Sequence, residues 1–287
     1  MPQEPPGHAT DGNQLLELLG LLLRTVEANK GEADNRDMDA HSLAAKFFFH
    51  GASALYLSRG TNIPDFPGAA VKFIDSASMI VLARTAFETF LTFHYVFASA
   101  TTKEELDYRH LIYTACGLKE RQRIPASAEE HKEKLADEEK QLEALCAKLS
   151  LNGFYTRLTA TQQTRILKLP RESWRMIPVD GKWRQLHWHE IAIDAGLSEM
   201  LARSTYSYLS GYAHSGSSSV FQIKQQLDEG WKPQLIEVPI ITTTIAAANL
   251  IYEYAGLFDS AKTILGADKS KNKVDEWRLF GQKLGNS

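Results

Sequence analysis

Residues 80–97, IVLARTAFETFLTFHYVF, decide the fold. Wound at the helical period, they put apolar side chains on every face. Ile80, Val81, Leu91 and Tyr95 fall on one side, and Met79, Leu82, Phe93 and Phe97 on the other. A helix that is apolar all round is a buried helix. Two charges interrupt it. Arg84 and Glu88 lie about 40° apart on the wheel, at the i,i+4 spacing of an ion pair. Charges inside a core are rarely left unpaired, because desolvation costs several kcal/mol per ion. Two readings of this pair stand. It fixes helix register, or Arg84 holds an anionic group while Glu88 orients it. Arginine suits a buried fork of hydrogen bonds.

Outward from this stretch the helical period dominates. A disordered start, 1–11, precedes a helix over 12–29 with Asp11 or Asn13 as N-cap. A second helix covers 37–59 and stops at Gly60. TNIPDFPG (61–68) reads as a loop by its prolines and glycine. The buried helix then covers 68–99, and Thr101 or Thr102 caps the next one. Between 119 and 150 charges occupy most faces, and Leu135, Leu142, Leu145 and Leu149 form a thin coiled-coil-like stripe. This predicts a charged helical hairpin that projects from the core. Asp180-Gly181 sits between short runs that can pair as a β-hairpin. Helices follow over 197–214, up to 228, and over 239–265. QLIEV (234–238) reads as extended, and 267–287 as a mobile tail. The expectation is an all-α multi-helix bundle, one domain over 12–266, with one small β-hairpin.

The 287 residues are 44% apolar and carry a net charge of −3, which argues against a general nucleic-acid or membrane-surface binder and leaves room for a local basic patch. The apolar run LLELLGLLLRTV (15–26) is too short and interrupted to span a bilayer. It reads as a buried or partner-docking helix. The N-terminus lacks the pattern of a signal peptide. Cys116 and Cys146 have no zinc spacing and read as reduced thiols, which fits a cytoplasmic protein. His187, His189 and Glu190 lack a further ligand at metal spacing, so no metal and no cofactor are expected. No G-x-S-x-G elbow is present.

The second unusual stretch is SYLSGYAHSGSSS (207–219). On its helix Arg203, Ser207, Ser210 and His214 form one stripe, while Leu201, Thr205, Tyr208, Leu209 and Tyr212 crowd the other side. Serine and glycine are poor helix formers, so close helix approach or a ligand selects them. Ser210 and His214 are one turn apart, within reach of a hydroxyl–imidazole bond. Beyond them the Ser run, with Ser217 and Ser218, offers the amides of a new helix start, which bind anions readily. His214 beside such amides suits an acid or base acting on phosphate. A capped turn between two helices explains the same residues.

LARTAFETF, KWRQLHWHEIAIDAGL and YSYLSGYAHSGSS together resemble an uncharacterised bacterial family of all-helical proteins, over about residues 68–265. In helical layout that family is similar to the HEPN superfamily, many of whose members are ribonucleases of toxin–antitoxin and phage-defence systems. The resemblance implies a metal-independent ribonuclease or nucleotide-phosphate binder in bacterial stress or phage defence. His214, Arg84, Glu88 and Ser210 would be catalytic, and Arg203, Ser217 and Ser218 would hold phosphate. It also implies a homodimer. One departure is plain: HEPN ribonucleases carry Arg, four to six residues, then His, and His214 has no arginine at that spacing. Arg36 with His41 and Arg184 with His189 match it at a frequency that chance explains. The alternative expectation is a non-catalytic module that binds a partner protein through the apolar N-terminal helix and the charged hairpin.

Overall fold

The computed structural model describes residues 7–29, 31, 34–63, 71–125, 128–168, 173–180, 182–213, 216–229 and 234–285. The sequence predicts one domain; the chain forms two compact units, Met1–His94 with Trp188–Ser287, and Tyr95–His187. The first unit opens with α1 (Gly7–Ala28) and α2 (Asn35–Leu57). Strands β1 (Thr61–Ile63) and β2 (Val71–Phe73) pair antiparallel, Asn62 opposite Lys72, and α3 (Ser76–Phe93) follows. Side-chain oxygens of Asp34 and Asp75 accept from the amides of Asp37 and Ser78, each at 2.9 Å, and satisfy first-turn donors of α2 and α3. The strand and the Asp75 cap explain why α3 begins at Ser76 and not at 68. A π-turn, His94–Ala98, continues it.

The second unit contains α4 (Lys103–Arg121) and α5 (Glu129–Leu151). Thr102 caps α4, accepting from the Glu105 amide at 3.2 Å. The two helices run antiparallel: Arg121 meets Glu138 at 2.7 Å, and Asn152 Nδ2 donates to the Glu104 carbonyl at 3.0 Å. This is the charged hairpin, with arms longer than the predicted 119–150. Next come α6 (Gly153–Thr156), α7 (Ala160–Leu167), a 3₁₀ turn and the hairpin β3 (Met176–Val179) with β4 (Lys182–Gln185). Asp180 takes φ 47°, the left-handed turn position that an Asp-Gly hairpin requires. Leu142 and Leu149 are buried with Tyr108, Ile112, Ile166 and Trp183. The leucine stripe is therefore one wall of a core and not the seam of a free-standing arm.

The chain returns to the first unit with α8 (Trp188–Asp194), α9 (Glu199–Ala213), α10 (Ser217–Glu229), α11 (Gln234–Leu257), α12 (Asp259–Ala267) and α13 (Lys271–Lys283). Ile245, Leu250 and Ile251 of α11 are fully buried, and the helix packs on α1, α2, α3 and α13. QLIEV is its first turn and not an extended piece. The predicted helix over 239–265 breaks at Phe258, whose backbone is extended and whose ring lies 4.7 Å from that of Tyr254. By length and composition Leu235–Leu257 suffices to cross a bilayer, yet most of it is buried among these neighbours.

Both ends of the chain differ from expectation. Asp11 is inside α1 and caps nothing; it accepts from Trp277 Nε1 at 3.0 Å and pairs with Lys273. The predicted mobile tail is α13, which buries Val274 and Trp277. Leu15, Leu19 and Leu22 of α1 are fully buried, and α1 packs on α2, α11 and α12. Most of this apolar run is thus covered by the chain itself, as the buried-helix reading expects.

Candidate functional site

Ser198 starts α9, its hydroxyl accepting from the Leu201 amide at 3.2 Å while donating to the Leu284 carbonyl at 2.6 Å. Leu201, Ala202, Thr205, Leu209 and Tyr212 face inward. Leu209 and Tyr212 pack on Ile80 and Ala83 of α3. The opposite face is the polar stripe. It lines an open cleft of about 510 Å³ bounded by His189, Arg203, Tyr206, Ser207, Ser210 and Gly211. Arg203 Nε donates to Glu199 at 2.9 Å across an exposed i,i+4 pair. Such pairs contribute little and yield readily to a stronger anion.

Arg84 and Glu88 pair as the spacing requires, Nε to Oε1 at 3.0 Å. They sit at the rim of the core and not inside it: their side chains are 15% and 27% exposed, beside the exposed Val81. Helix α3 does face α9, and Arg84 reaches Tyr206. Its Nη2 donates to the Tyr206 hydroxyl at 3.4 Å, and its guanidinium lies 5.6 Å from the ring centroid. The ion pair thereby braces a wall of the cleft.

His214 lies outside the described residues, as does Ser215. Ser217 and Ser218 open α10 as expected, and Ser219 turns its hydroxyl to the Gly216 carbonyl at 2.7 Å. Tyr212 donates to Gln222, which ties α10 to α9. Burial pushes the phenols of Tyr208 and Tyr212 above their ordinary range. His189, weighed from sequence as a metal ligand and as the histidine of a chance Arg-His spacing, contributes an imidazole to the cleft. Among the described residues no group of three or more His, Cys, Asp or Glu is arranged to hold a metal.

Sequence reasoning passed over His94. This imidazole ends the first segment of its unit, with Nδ1 2.7 Å from Glu253 Oε1 and Nε2 3.1 Å from Asp194 Oδ2. Ionised carboxylates only accept, so an imidazolium, with both ring nitrogens donating, satisfies both partners. Burial pulls its pKa down, but the two hydrogen bonds and the two negative charges outweigh that and raise it to about 9. Burial in turn pushes the Glu253 carboxyl up, against the pull of His94 and Arg278. The signal was available. Glu253 stands in an apolar helix and His94 in an apolar run, the same anomaly that marked Arg84 and Glu88.

A family model, described as a family of unknown function (DUF5677), matches residues 74–230, more than half of the chain. The chain belongs to this family. The DUF5677 match begins one residue before Asp75, the N-cap of α3, and takes in every element to the end of α10. It therefore holds Arg84, Glu88, His94, His189 and all of α9, and leaves Glu253 outside. It bears out an uncharacterised family and carries no statement of HEPN kinship. No curated protein and no solved structure matches the chain.

Proposed function

We propose that this DUF5677 protein binds a phosphate-bearing ligand, RNA or a nucleotide, in the α9 cleft, and cleaves RNA there without a metal. One observation carries the reading: a guanidinium, an imidazole and two hydroxyls line one open cavity. Arg203 would neutralise the phosphate, with Ser207 and Ser210 donating to its oxygens. His189 would take the proton of a ribose 2′-OH as that oxygen attacks phosphorus. The 5′-oxygen leaves with a proton from solvent, giving a 2′,3′-cyclic phosphate. His214, one turn beyond Ser210 in sequence, is the second acid/base candidate. The mild negative charge of the whole chain is compatible with one local cationic site, whose affinity falls as salt rises.

The test uses the purified full chain and single-stranded RNA in chelator. Arg203→Gln is expected to weaken RNA binding about tenfold with cleavage of bound RNA retained. His189→Ala is expected to leave binding intact and slow cleavage by roughly 100-fold or more. Wild-type cleavage by the His189→Ala variant removes that residue from the chemistry. A non-catalytic interaction module is the second reading, and α10 favours it, because Val220 and Phe221 are largely exposed there. RNA binding without cleavage by the wild type, or no RNA binding at all, decides for that reading.

A further inference from the structure

The phosphate reading of the cleft leaves one wall without a task. Phosphate needs cations and donors; the Tyr206 hydroxyl can donate to it, but the face of the ring offers it nothing. Tyr206 nevertheless lines the cleft beside Arg203, Ser207 and Ser210. It is also held by a charged pair: Glu88 fixes Arg84 at 3.0 Å, and Arg84 reaches the Tyr206 hydroxyl at 3.4 Å. A half-buried pair gains little from stability alone, whereas a fixed ring is what a stacking surface requires. A guanidinium near one ring also holds it in place by cation–π attraction.

We infer that Tyr206, braced by Arg84 and Glu88, is a stacking platform for an unpaired nucleobase whose phosphate sits at Arg203. The inference rests on the cleft being the phosphate site. The spacing agrees: residues i and i+3 on a helix have Cβ atoms about 5–6 Å apart, close to the step from a nucleotide's phosphate to its base. The cavity, at about 510 Å³, is large enough for one nucleotide. A base paired in a duplex has no free face to offer, so single strands, loops and ends are the substrates this wall selects. Tyr206 is a binding residue here, and Arg84 and Glu88 are positioning residues.

The test compares adenosine 5′-monophosphate with ribose 5-phosphate, which carries the same phosphate on the same sugar without the base. The wild type is expected to bind the nucleotide about tenfold more tightly. Tyr206→Leu should erase that difference and leave ribose 5-phosphate binding unchanged, while Tyr206→Phe keeps it. Arg84→Met, with the fold checked by circular dichroism, should shrink the difference without touching ribose 5-phosphate. Equal binding of the two probes by the wild type overturns the stacking role and leaves the phosphate site standing. So does an equal loss of both in Tyr206→Leu. Binding of neither probe, or loss of neither in Arg203→Gln, overturns the phosphate site and the stacking role together.

Discussion

His94 shows how one residue ties a helical unit together. Its ring spans Asp194 at the end of α8 and Glu253 near the C-terminal end of α11. Its folded pKa, about 9, lies above the ordinary 6.5 of an unfolded chain. The folded state therefore binds the proton more tightly. The stabilisation is complete below pH 6.5 and is lost as pH rises from there through 9. The urea midpoint of the wild type should fall between pH 7 and pH 10 by more than that of His94→Gln. Lysines and tyrosines titrate in both proteins, so the difference between them isolates His94. Equal pH slopes would remove the clamp from the stability balance. The sequence hid this residue for a physical reason. Arg84 finds Glu88 within one turn, so a wheel exposes the pair. His94 finds its partners 100 and 159 residues away, and only the fold brings them together.

At the scale of elements, caps and turns were legible and short strands were not. Thr102 and the Asp180 turn act through neighbours in sequence, so local chemistry places them. Strands β1 and β2 have three residues each, too few to show an alternation. Helix α13 was missed because its charge hides a spaced set of contacts: Val274, Trp277 and Gly281. Gly281 permits the closest of these. A Cβ there would meet Ile245 Cγ2 at 2.8 Å and Leu197 Cδ2 at 3.1 Å. Gly117, in the interior of α4, has nothing within 4 Å of the same position. One substitution should therefore have opposite signs at the two sites. Gly117→Ala gains helix propensity and should stabilise by about 0.5–1 kcal/mol. Gly281→Ala gains the same and loses more to overpacking against a branched side chain, a cost of roughly 1–3 kcal/mol. Thermal melts of both variants check the pair, and a stabilising Gly281→Ala would mean that α13 can shift outward freely.

At the scale of the molecule, two compact units replace the one domain expected from sequence. No shift in composition marks 94–95 or 187–188, and helices of similar make-up lie on both sides, so periodicity alone runs them into one bundle. The division appears only in which side chains meet. Tyr108, Ile112, Cys116, Leu142, Leu149, Tyr155, Ile166, Met176 and Trp183 bury one another, and Trp183 Nε1 donates to the Gln162 carbonyl at 2.9 Å to close the set. Every member lies between 95 and 187. A cavity cut there should be felt there. Ile112 is fully buried, and Ile112→Ala removes its packing at a cost of about 2–5 kcal/mol. Native-state hydrogen exchange should show that loss in the slow amides of α4 and α5. The slow amides of α11, around Ile245 and Ile251, should change by less than about 0.5 kcal/mol, as for sites that share no partners. Equal loss in both sets would mean that the two units open as one cooperative structure. Selective loss would mean that the cleft on α9, built wholly from the other unit, keeps its geometry while residues 95–187 open.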